Sequence, residues 1–221
     1  MVDFQSRDTS RGYGNDEETE DSEDEDTGET EQVEESTVDK ESTETADTEP
    51  VEQDSRDETV DFGPETLPYA VVTVTNEGTI EDDTIGEAVV DAIEHAGDAI
   101  VTRELVGSDY DSVQSTVGAL ARRKDVAAIV TVGGVGVAPD DETVDAVEPL
   151  FEKQLPGFGE LYRVLSHDFD GTAVVRTRVT AGILDGVPVF CLPGDTAGAR
   201  RGVEQIVLEE AEAIAEEANS G

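Results

Sequence analysis

The sequence predicts a three-layer α/β/α domain with a mostly parallel central sheet, preceded by a disordered acidic tail. Three observations lead there. From residue 67 onward, β-branched runs of strand length alternate with stretches whose apolar residues recur every three or four positions. The first of those runs, residues 69–75, is β-branched and fit for a strand covered on both faces. Residues 1–66, in contrast, carry a net charge of −22 and only Phe4, Tyr13 and Phe62 as aromatics, too little apolar surface to offset the entropy of ordering them. The chain therefore divides into a tail over 1–66 and a domain over 67–221, 155 residues that suffice for one packed core.

Each element follows from local chemistry. Pro64 and Pro68 bracket the passage from tail to domain, and "YAVVTVT" (69–75) is the first strand. The loop "NEGTIEDD" ends in carboxylates that can cap the next helix, Thr84 to Ala96, which Gly97 stops. "AIVTREL" is the second strand. Asp109 and Asp111 open a second helix that runs to about Lys124, where "ARRK" suits the negative end of the helix dipole. "VAAIVTV" is the third strand and leads into a loop with Gly133, Gly134 and Gly136. "DETVDAVEPLFEKQL" reads as a third helix interrupted at Pro149, and "PGFGELYRVLSHDF" as a fourth. "TAVVRTRVTAGI" and "VPVFCLPG" are strand-like, and "TAGARRGVEQIVLEEAEAIAEEA" is a long amphipathic helix.

The charge excludes one large function class. The whole chain stands at −41, and residues 67–221 hold two lysines and eight arginines against 29 acidic residues. A nucleic-acid surface needs a basic stripe to displace counterions, and none exists here. Such charge fits a protein of a high-salt cytoplasm, where screening relieves self-repulsion, or an ordinary acidic protein with a solvating tail. No run of 18 apolar residues and no signal-peptide pattern occurs, so the expectation is a soluble, cytoplasmic chain without a membrane partner. Cys191 is the one cysteine and sits in a strand-like run, which reads as a core residue.

In open α/β sheets ligands gather at the carboxyl ends of the strands. The loops expected there are 76–83, 107–111, 133–141 and 193–196. Glycines at 133, 134 and 136 can adopt positive φ and bring backbone N–H groups to a phosphate with no Cβ in the way. Asp140 and Asp141 beside such a loop would repel phosphate unless a cation bridges them, and Mg²⁺ commonly joins one or two carboxylates to substrate phosphates. Capping is the competing role for both, and it suits Asp140 better. Asp109 either shares the metal or assists proton transfer, or caps its helix; Asp83 has the same capping alternative. Arg178 is the arginine expected beside a ligand.

The stretch "VGGVGVAPDDETVDAVEPLFEKQLPGFGELYRVLSHDFDGTAVVRTRVTAGILDGVPVFCLPGDT" resembles the MoaB/Mog family of molybdenum-cofactor biosynthesis proteins, and the likeness runs from about Ala70 to Glu210. The most specific part is "LPGFGELYRVLS" followed by "GTAVVRTRVTAG" and "LPG". The resemblance implies a molybdopterin-binding domain, trimeric or hexameric, that moves AMP from ATP onto the terminal phosphate of molybdopterin with Mg²⁺ and releases pyrophosphate. It also implies contact with other cofactor-biosynthesis proteins.

Position by position, Gly133, Gly134 and Gly136 match the family's glycine loop, and Asp141 its metal-binding and catalytic acid. Asp109 matches a second acid, Asp83 and Gly86 the D-x-S-G segment, Arg178 the Ser-Arg pair, and Pro193 and Gly194 the P-G-S-P loop. Val132 and Val135 stand where the family has threonines, Ile85 and Asp195 where it has serines, and Asp140 where a basic residue is common. These departures remove hydroxyl donors and add negative charge. They leave open a non-catalytic molybdopterin carrier and a nucleotide pyrophosphatase on the same fold.

Overall fold

A computed structural model describes residues 66–220. The disordered tail expected over 1–66 lies, apart from Thr66, outside the described residues. Within them six strands form one sheet in the order β2-β1-β3-β6-β5-β4. The strands are β1 (Pro68–Val74), β2 (Ala99–Val106), β3 (Ala128–Val132), β4 (Lys153–Gln154), β5 (Thr180–Leu184) and β6 (Val187–Leu192). Strands β2, β1, β3 and β6 run parallel, whereas β5 and β4 close one edge as antiparallel strands.

The helices are α1 (Thr84–Ala96), α2 (Tyr110–Ala121), α3 (Thr143–Val147), α4 (Pro156–Asp170), α5 (Thr196–Gly202) and α6 (Leu208–Asn219). Strand order fixes their layers. The crossover from β1 to β2 steps one way along the sheet and the crossover from β2 to β3 steps back. With right-handed crossovers, α1 and α2 must then cover opposite faces. Accordingly α1 packs against α5, and α2 against α3. The core lies between, and β3 and β6 are buried along their whole length, which explains runs with no polar alternation.

Local chemistry sets the helix ends as expected for α1. The Asp83 carboxylate accepts the Gly86 N–H, and Gly97 closes the helix at φ 99°. Cys191 is fully buried, and burial pushes its thiol up to about 12, so it is a core residue and not a nucleophile.

Three segments differ from expectation. Gly171–Arg176 is a 3₁₀ helix, so only the end of "TAVVRTRVTAGI" forms a strand. The expected third helix is one short turn pair: α3 passes into a 3₁₀ turn at Glu148–Leu150, and Lys153–Gln154 join the sheet edge instead. The C-terminal helix contains a π turn at Val203–Val207. Its buried residues Val203, Val207, Ala211 and Ala215 step by four, a spacing that drifts off one face of a regular helix, and the wider turn corrects the drift. Among the described residues no helix is long and apolar enough to cross a membrane.

Candidate active site at the strand carboxyl ends

The loops after β1 and β3 leave the sheet toward opposite faces, which opens a crevice between them. Thr73, Val132 and Leu192 form one register row across β1, β3 and β6. The next residues, Val74, Gly133 and Pro193, begin the crevice rim. Gly133 is at φ 105° and Gly134 at φ 65°. A Cβ on Gly133 would collide with the Val74 carbonyl oxygen, and one on Gly194 would lie 3.1 Å from the Gly133 Cα. Glycine is therefore required at 133, and Gly194 lets the loop after β6 approach it closely.

The hydrogen bonding of the glycine loop is one-sided. The Gly133 carbonyl accepts the Thr143 hydroxyl at 2.8 Å and the Gly134 carbonyl accepts the Thr143 N–H at 3.0 Å. The Val135 carbonyl accepts the Arg178 N–H at 2.7 Å, and the Gly136 carbonyl accepts Arg178 Nε at 2.6 Å. All four carbonyls are thus held by the protein. On the donor side, Gly133 N–H goes to the Leu192 carbonyl, whereas the N–H groups of Gly134, Val135 and Gly136 donate to no group among the described residues. They border a cavity of about 490 Å³ lined also by Asp141, Arg176, Thr177, Pro193, Gly194 and Asp195. Successive free N–H groups of this kind bind anions.

Asp141 stands beside this nest. One of its oxygens accepts the Ala138 N–H at 2.8 Å, and the carboxylate lies so close to Gly136 that no Cβ fits there. Among the described residues no group of three metal-ligating side chains occurs. A half-buried carboxylate beside a nest of N–H groups fits Mg²⁺, which takes few protein ligands and completes its shell with phosphate oxygens and water.

A second cavity of about 440 Å³ adjoins the first through Val74 and Gly194 and is lined by Thr73, Thr75, Glu77, Asp82, Asp83 and Ile85 among others. Asp83 is not free to bind there. Its carboxylate accepts Thr73 Oγ1 at 2.6 Å, Gly86 N–H at 2.8 Å and Arg103 Nη2 at 2.8 Å. Burial pushes its pKa up, but these hydrogen bonds and the Arg103 charge outweigh it and hold the carboxyl below the usual aspartate range. Gly86 lacks a Cβ because one would strike the Asp83 and Thr73 oxygens.

Asp83→Asn is expected to cost about 2–3 kcal/mol, below the roughly 3–5 of a fully buried broken pair because Arg103 retains some water contact. The folded-state pKa is depressed, so this stabilisation is complete above pH 3.8 and fades as pH falls further. Melting curves of both proteins should differ most near neutrality and converge in acid; a gap that stays constant down to pH 2 would remove the ionic contribution.

Two other expected site residues hold parts in place. Asp109 caps α2, with its exposed carboxylate accepting the Ser112 N–H at 3.0 Å, and it does not line the glycine-loop cavity. Its pKa is lowered by that backbone hydrogen bond. Arg178, the arginine expected beside a ligand, braces the loop through the Gly136 and Asp141 carbonyls and pairs with Asp145 at 2.9 Å; it lines a neighbouring cavity that it shares with Asp141 rather than the glycine-loop cavity. The cation that lines the cavity is Arg176.

The departures at Val132 and Val135 also change meaning. Both side chains are buried in the core, so hydroxyls there would not have reached far into the cavity. Asp195 caps α5 through the Gly198 N–H at 2.7 Å and lines the cavity as well. Thr143, whose hydroxyl and N–H both brace the loop, carried no signal in the sequence beyond its place at a helix start.

A family model described as a probable molybdopterin binding domain matches residues 65–213. The molybdenum cofactor biosynthesis protein B of Bacillus subtilis is 34% identical over 148 residues, covering 66% of this chain and 87% of that protein. The molybdopterin adenylyltransferase of Pyrococcus furiosus is 32% identical over 152 residues, covering 66% of this chain and 88% of that protein. Among solved structures, one of a molybdenum cofactor biosynthesis protein B superposes with a TM-score of 0.69 at 30% identity, covering 72% of this chain and 99% of the other.

Proposed function

The chain belongs to the molybdopterin-binding domain family of molybdenum cofactor biosynthesis, and from that premise we propose that it transfers AMP from ATP to the terminal phosphate of molybdopterin. The observation that carries this reading is the glycine loop, which lines a cavity together with Asp141; its carbonyls are all held by the protein while three of its N–H groups donate to no described residue. That arrangement holds anions without lysine.

In the reaction, an oxygen of the pterin phosphate attacks the α-phosphorus of ATP. The bond from that phosphorus to the bridging oxygen breaks, and pyrophosphate leaves. Such transfers need positioning and charge neutralisation more than covalent help from the protein. The loop N–H groups orient phosphate oxygens, and Pro193 and Gly194 keep the opposing wall close enough for both phosphates to share one cavity. Asp141 would hold Mg²⁺, which would offset charge on the ATP phosphates. Asp83 and Gly86 fix the start of α1, and Asp109 the start of α2. A homo-oligomer, a trimer or hexamer, would cover the exposed Leu161, Val164, Phe169 and Val175, and a reaction that consumes ATP fits work in the cytoplasm.

The test is incubation with molybdopterin, ATP and Mg²⁺ in about 2 M KCl, where charges are screened within a few ångströms, followed by chromatography of the pterin. Adenylylated product is expected. Asp195 favours a second reading, a molybdopterin carrier, because it adds a carboxylate to the cavity and raises the cost of seating two phosphate groups at once. Retained pterin with no product would select the carrier.

A further inference from the structure

We propose that Arg176 is the side-chain phosphate anchor of this site and sets its affinity for phosphate-bearing ligands; the identity of those ligands rests on the adenylyltransferase reading. Among the described residues, two carboxylates, Asp141 and Asp195, line the glycine-loop cavity, and Arg176 is the one cation that does. An incoming phosphate group meets these charges at short range, and the partial charges of three N–H groups offset only part of the repulsion. A guanidinium at the same wall supplies a full charge and a planar fork matched to phosphate oxygens.

Neighbouring arginines are committed elsewhere. Arg178 pairs with Asp145, Arg201 with Asp170, Arg200 with Glu204 and Arg103 with Asp83. Arg176 forms no ion pair with a described residue. It is exposed, so its side chain can swing toward a ligand, yet its backbone is fixed to the loop it would serve. It ends the 3₁₀ helix, and two residues later the Arg178 N–H is bonded to the Val135 carbonyl at 2.7 Å. Between them Thr177 lines the same cavity, and its hydroxyl oxygen is buried with no partner. Among the described residues, the cavity wall at 176–177 thus carries a charge with no ion pair and a hydroxyl with no partner, in the same cavity as the glycine loop.

The ligand chemistry is a phosphate group, supplied either by the pterin or by the polyphosphate of a nucleotide. Calorimetric titration of wild type, Arg176→Gln and Arg176→Lys with inorganic pyrophosphate, Mg²⁺-ATP and molybdopterin separates these. Arg176→Gln is expected to weaken binding roughly 10- to 100-fold, the loss typical of one charge-assisted contact. Arg176→Lys should recover part of it, since charge returns without the fork.

A loss confined to pyrophosphate and ATP assigns the anchor to the nucleotide; a loss confined to molybdopterin assigns it to the pterin phosphate. Unchanged affinities in Arg176→Gln for all three, or a wild type that binds none of them, would overturn the proposal. Because the side chain is exposed, the variants should melt with the wild type, and a matching near-ultraviolet spectrum checks that they do. If the substitution weakens binding yet wild type makes no adenylylated pterin, Arg176 stands and the transferase reading fails.

Discussion

Asp141→Asn should lower adenylyl transfer by about a hundredfold or more while leaving the domain folded. The substitution keeps an oxygen that can accept the Ala138 N–H, so the turn from Ala138 to Asp141 survives. What it removes is the negative charge. Losing one electrostatic contributor to a phosphoryl-type transition state typically costs about 10²–10³ in rate. The sign of the binding change is a sharper check. Without Mg²⁺, removing the carboxylate relieves repulsion, so molybdopterin should bind as well or better. With Mg²⁺, ATP should bind more weakly. Product formation, metal-free pterin affinity and melting temperature are measured together. A variant that keeps more than about a tenth of the wild-type rate would take this carboxylate out of the chemistry.

Gly133→Ala should damage both fold and site. Gly133 sits at φ 105°, where an L side chain is strained, and its new methyl would meet the Val74 carbonyl of the neighbouring strand end. Backbone strain and overpacking together should cost about 3 kcal/mol, which for a domain of this size lowers the melting temperature by about 6–12 °C. Relief of the clash must push β3's loop away from β1, which opens the crevice and scatters the N–H groups. Gly157→Ala is the matched control. Gly157 lies in the first turn of α4 with open space where a Cβ would go, so the change should shift stability by no more than about 1 kcal/mol, toward greater stability. Equal melting temperatures for the two variants would mean that the loop has another conformation available.

Most of the fold was legible because its signals are local. Gly97, the carboxylate at Asp83 and the spacing of Val89, Ala92 and Ile93 delimit α1, and the apolar, β-branched runs at β1, β3 and β6 declare strands buried on both faces. Residues 171–176 misled because "TAVVR" has strand composition; the chain turns there because Arg178 is tied to the glycine loop, a contact between residues 42 apart. Likewise Lys153 and Gln154 follow a helical pattern but are drawn to the sheet edge by β5. The site divides the same way. A glycine loop followed by aspartates is a sequence feature. Which arginine faces the cavity and which braces it from behind depends on distances that no spacing encodes. Arg176 and Arg178, two residues apart, have opposite tasks.

The loop carbonyls bonded to Thr143 and Arg178 have one more consequence, and it concerns entropy. Those bonds form when the chain folds, so the loop that carries the free N–H groups is held in place before any ligand arrives. A phosphate then meets a receptor with little internal freedom left to lose, and more of the contact energy appears as affinity. With the proposed grip made of main chain, the side chains at 132 and 135 are left to the core, where both valines are buried.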